Sequence, residues 1–198
     1  MTISEPVTLA TDYLLAGVTA WLCVLLWKQR ASQRSRRWWT TAFGALALGA
    51  FLGGTWHGLL QSDLLWKATV LAIGVASGAM LAGSAYAVLS GAPRALLLAL
   101  AGVKFLVYAA VMLARDEFIF FVIDSGVTFA LVAALHLWRF NGWIVAGVAL
   151  SLLAALAQAS GLALHRHFNH NDLYHVIQVA AMLLFYRGAR RLTDSVVA

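Results

Sequence analysis

Seven stretches of mainly apolar residues, each about the length of a membrane-crossing helix, take up most of this chain of 198 residues. A helix needs about 20 such residues to cross a hydrocarbon layer of about 30 Å. The runs lie at roughly 8–27, 38–60, 64–89, 95–113, 118–138, 143–164 and 168–186. Between them stand short polar or turn-forming breaks such as "KQRASQRSRR", "QSD", "SGAPR", "ARDE" and "RFNG". Breaks this short make neighbouring helices antiparallel and leave no room for a second domain. The expected fold is all-α, one seven-helix transmembrane bundle over residues 1–198. Composition agrees: 62% of residues are hydrophobic and only 11% charged, where a soluble domain carries about 25%. The N-terminal "MTISEPVTLATDY" has no basic region and carries Glu5, Pro6 and Asp12, so it does not read as a cleaved leader. The lone Cys23 lies in an apolar run, and disulfides are excluded.

The formal net charge of +6 is explained by topology. Lys28, Arg30, Arg34, Arg36, Arg37, Arg94, Arg139, Arg187, Arg190 and Arg191 fall on one side of the predicted bundle, and only Arg115 and Arg166 on the other. The positive-inside bias then places the N-terminus outside and the C-terminus in the cytoplasm. Membrane lipids are the expected partners, and nucleic acid is not.

With that orientation the ionisable residues gather near the outer end. His57 closes the second run and Asp63 opens the third. Asp12 lies in the first turns of the first run, and Asp124 about two turns into the fifth. The stretch "HRHFNHNDLYH" from His165 to His175 leads into the seventh. Leu173 to Tyr186 spans only about 21 Å as a helix, so the seventh helix is expected to begin near His167 or Phe168. Asn171, Asp172, His175 and Gln178 then share one face, from which His170 points away.

Imidazoles and carboxylates at one helix mouth suit a divalent metal, zinc above all. His57, His170 and His175 are the candidate ligands, with Asp172 competing for the third position. Each residue also has a plainer reading. Asp172 suits a helix cap, and His57 an interfacial histidine bonded to a carbonyl. Asp63 can pair with Lys67 at i, i+4, and Asp124 with Lys104. His165, His167 and His170 suit a solvated loop. The spacings Gly49 to Gly53 and Gly74 to Gly78 suit close helix packing.

Seven spans, a histidine ending the second and a histidine motif opening the seventh resemble the superfamily of alkaline ceramidases and progestin/adiponectin-type receptors, which are seven-helix membrane proteins with a zinc site. His57 fits that family's second-helix histidine, while its serine position is Gly53 here. His175 fits the second histidine of the family's last-helix pair, the first of which falls on Asn171. Asp63 is a rough counterpart of a family aspartate. The resemblance implies a divergent bacterial-type branch in the inner membrane: a zinc-dependent hydrolase of a ceramide-like lipid amide or ester, assisted by Asp172 or Asp63. The alternative is a non-enzymatic sensor, receptor-like protein or transporter that binds an ion or lipid at the same cluster, with Asp12, Asn171 and Asp124 contributing polarity. Axial haem ligation by two histidines is a weaker third reading.

Overall fold

The computed structural model describes residues 4–30, 32–115 and 117–196. Residues 1–3 of the N-terminal stretch read above, Asp116 in the fourth break and the last two residues of the expected domain lie outside the described residues. Seven helices follow one another: α1 (Pro6–Lys28), α2 (Arg34–Gly58), α3 (Asp63–Val88), α4 (Gly91–Ala114), α5 (Phe118–Trp138), α6 (Gly142–Ala159) and α7 (His170–Ala189). Among the described residues there is no strand beyond an isolated bridge between His165 and Phe168. Five helices, α1, α3, α4, α5 and α6, are long and apolar enough to cross a membrane. The more polar α2 and α7 pack directly against them.

Local chemistry sets the helix starts. Pro6 opens α1, where its missing N–H costs nothing. The Leu65 N–H donates to Ser62 Oγ (3.3 Å) at α3, and the Ile144 N–H to Asn141 Oδ1 (3.4 Å) at α6. Several predicted boundaries move, α2 and α4 each starting four residues earlier, at Arg34 and Gly91. α6 ends at Ala159 rather than near 164, because Gly161 adopts a left-handed φ of 68° and turns the chain. α7 starts at His170 rather than near 167, because Asn169 caps it: Asn169 Oδ1 accepts from Asn171 N (2.8 Å) and Asp172 N (3.3 Å). The helix recovers its length at the other end, and its 20 residues span about 30 Å.

The helices form a ring, α1–α2–α3–α5–α6–α7, with α4 outside it against α3 and α5. α4 buries only Ala101, Tyr108 and Met112. Tyr108 donates to the Val70 carbonyl of α3 (2.9 Å), an approach that the missing side chain of Gly74 permits. α1 and α2 come closer still: a Cβ at Gly54 would stand 2.8 Å from Asp12 Cβ, and one at Gly58 2.8 Å from Leu9 Cβ. These two glycines, four apart, bring α1 against α2 as small residues do in membrane helix pairs. Gly49 plays that part against Ile73, whereas Gly78 faces open space.

At the arginine-rich end the tail ties the helices together. The Asp194 carboxylate accepts from Arg34 N and Ser35 N (both 2.8 Å), capping α2 from 159 residues away. Asp194 N donates to Gln33 Oε1 (2.6 Å), and Ser195 N to the Tyr86 carbonyl (2.9 Å). Burial pushes the Asp194 carboxyl up, but the Ser35 and Arg34 hydrogen bonds and the Arg94 charge win and hold it below the usual carboxylate range.

Candidate functional site

Inside the ring, toward the end where His57 lies, is a cavity of about 130 Å³. That is room for several waters or one small ring-sized group. α1 supplies Asp12 and Thr19, α2 Gly53 and His57, α6 Gln158, and α7 Tyr174, His175 and Gln178. Apolar walls come from α3 and α5 through Trp66, Val70, Ile73, Phe118 and Phe121. Gly53 keeps the wall thin beside Asp12, whose carboxylate oxygens would be 3.9 Å from a Cβ there.

His175 is buried and held on both sides. Its Nδ1 lies 3.1 Å from Thr11 Oγ1, and its Nε2 3.1 Å from Asp12 Oδ1. The Thr11 hydroxyl donates its one hydrogen to the Thr8 carbonyl (3.1 Å), so it accepts from His175. That network assigns Nδ1 as the protonated nitrogen. His57 Nδ1 sits 3.2 Å from Glu5 Oε2 but is not aligned for a hydrogen bond. Its ring meets Trp56 edge-on at 5.1 Å, and its backbone carbonyl accepts from the Ser4 hydroxyl.

Several buried polar atoms here lack hydrogen-bond partners among the described residues: Asp12 Oδ2, Thr19 Oγ1, His57 Nδ1, Gln178 Oε1 and, outside the lining, Asp172 Oδ1. Such atoms are rare and costly. Four of the five belong to cavity-lining residues.

The structure gathers some of the predicted residues and separates others. Asp12, His57 and His175 line the one cavity. Asp172 lies beneath it as the second half of a capping box, its Oδ2 accepting from Asn169 N (2.7 Å). Asn171 is turned to α6, where its Oδ1 accepts from Gln158 Nε2 (3.0 Å). His170 opens α7 outside the cavity lining, and His165 and His167 are exposed. Asp63 is exposed at the start of α3 and makes no ion pair with Lys67. Asp124 lies elsewhere in the bundle, paired with Lys104. Sequence reasoning missed Glu5, Thr11, Gln158 and Tyr174. Gln158 alone left a readable signal, as a lone amide in an apolar run.

Zinc with an open catalytic position needs three protein ligands. Among the described residues no three His, Cys, Asp or Glu side chains converge as a ligand set. His175 Nδ1 is already hydrogen-bonded to Thr11, and its Nε2 faces the Asp12 carboxyl. The residues as placed do not fit zinc. What they offer is a mainly apolar chamber with acceptors to spare.

Residues 7–194 match the family of unknown function DUF6962, and the chain belongs to that family. No curated protein and no solved structure matches it.

Proposed function

We propose that this member of the DUF6962 family is a seven-span membrane protein that binds, without turning it over, an ion or the polar end of a lipid in the cavity between Asp12, His57 and His175. All seven helices cross the bilayer in this reading, α2 and α7 shielded by their apolar neighbours. The arginine-rich end faces the cytoplasm of a bacterial-type inner membrane, as the basic bias favours. The observation that carries the reading is the set of partnerless acceptors on residues lining an apolar-walled cavity. A ligand that brings hydrogen-bond donors or positive charge satisfies them, and the aromatic and aliphatic walls accommodate its body.

The test is thermal unfolding of the purified protein in detergent against a panel of monovalent cations, long-chain amines and lipids bearing free hydroxyls. A stabilising ligand is expected from the panel, with its effect lost in Asp12→Asn and Gln178→Leu and no product formed. If no member of the panel stabilises the protein, or if the shift persists in both variants, the cavity is not the binding site.

A second reading, the zinc-dependent lipid hydrolase, has one observation on its side: His57 and His175 line the same cavity beside Asp12. It requires His175 to leave Thr11 or Asp12. Elemental mass spectrometry decides: stoichiometric zinc that disappears in His57→Ala replaces the first reading with this one.

A further inference from the structure

We infer that the groove between α1, α6 and α7 at the arginine-rich end is a seat for one anionic phospholipid, distinct from the cavity near His57. The groove measures about 550 Å³. Its walls include Trp21 and Leu22 of α1, Leu150 of α6 and Leu183 of α7, with Arg187 and Arg190 at its mouth. Arg187 and Arg190 are three apart and so share a helix face. The apolar lining of α7 runs back to Ala180, seven residues or about 10 Å deeper than Arg187. The walls therefore receive the upper part of an acyl chain directly below the cations.

The charge at the mouth is uncommitted. Other arginines at this end donate to protein oxygens. Arg36 bonds the Leu192 carbonyl (2.7 Å), Arg94 the Leu89 carbonyl (2.7 Å), and Arg139 the Ser195 hydroxyl (3.1 Å). The Arg187 and Arg190 guanidinium groups donate no hydrogen bond and pair with no carboxylate among the described residues. Aromatic rings alone position them: Arg187 lies 5.1 Å from the Trp143 ring centre and Arg190 5.9 Å from that of Tyr186. Tyr186 is itself fixed, accepting from Gln29 Nε2 (3.1 Å). Two guanidinium groups with all their donors unspent, held over an apolar slot, match a phosphodiester headgroup on an acyl chain. A free phosphate would leave the slot unused.

The test is native mass spectrometry and thermal unfolding of the full chain in neutral detergent, titrated with phosphatidylglycerol, phosphatidylcholine or inorganic phosphate. Phosphatidylglycerol is expected to bind with one retained molecule and raise the midpoint, while the other two do neither. The Arg187→Gln/Arg190→Gln double variant should weaken that binding by about thirtyfold and unfold like the parent without lipid. Leu183→Trp, which keeps both charges but fills the slot, should weaken it too. The inference is overturned if inorganic phosphate protects equally, if phosphatidylcholine binds as well as phosphatidylglycerol, or if either variant retains parental affinity.

Discussion

Asp12 and Asp124 are both buried carboxylates on apolar helices, yet their surroundings are opposite. Asp124 is closed on every side. Lys104 Nζ reaches its Oδ1, and Ser77 donates to its Oδ2 (2.7 Å). Lys104 also donates to Ser77 (3.0 Å), and Thr128 to the Asp124 carbonyl (2.9 Å). Asp12 has one oxygen 3.1 Å from His175 Nε2 and the other bare, beside a cavity. A charge with all its partners inside the protein is a fastener between α3, α4 and α5. One left half satisfied next to open space costs stability, and in the binding function proposed above it is the group a ligand would satisfy.

The largest effect should come from breaking the closed site. Lys104→Ala strands the Asp124 charge and should cost about 3–5 kcal/mol, read as a lowered unfolding midpoint in detergent. Replacing both partners with leucine should recover most of it. A single-variant loss no greater than that of an ordinary surface change removes the contrast. At the open site, His175→Ala exposes Asp12 Oδ1 and should cost less, about 1–3 kcal/mol, since water in the cavity can replace the ring. Equal losses at the two sites would mean that Asp12 is as enclosed as Asp124.

A finer comparison uses adjacent glycines. Gly54→Ala pushes a methyl to within 2.8 Å of Asp12 Cβ and should cost about 1–3 kcal/mol by overpacking. Gly53→Ala, with 3.5 Å to its nearest neighbour, should unfold like the parent while narrowing the cavity. Among the destabilising variants, the smallest loss is expected far from both carboxylates. Asp194→Asn weakens the cap on α2 by about 1 kcal/mol. The Asp194 carboxyl is held below its ordinary range, so its contribution is present at neutral pH and is lost as pH falls through the folded value. Midpoints of parent and Asp194→Asn should therefore converge in acid.

Helix number and most boundaries were legible because a bilayer-length apolar run leaves the backbone little alternative. α5 has the span read from sequence, 118–138. The ends of α6 and α7 were not, because one left-handed glycine and one asparagine cap decided them, and hydropathy is blind to both. His57, Asp12 and His175 were legible as polar groups at one end. Their partners Glu5 and Thr11 were not, since a contact across 52 or 164 positions leaves no trace in local spacing. Asp172 and Asp124 each had a plain structural reading beside the functional one, as a cap and as a lysine's partner, and the side chains make those contacts. Nothing in a local pattern shows which of two partners a carboxylate will choose.

Because Asp194 supplies the oxygens that finish the first turn of α2, a helix begun early in translation waits for a residue made after all seven helices to complete it. The cap on α2 thus forms only once α7 has been made. A ribosome stalled before codon 194 should display an α2 whose leading turn is still frayed, open to proteases that the released protein resists.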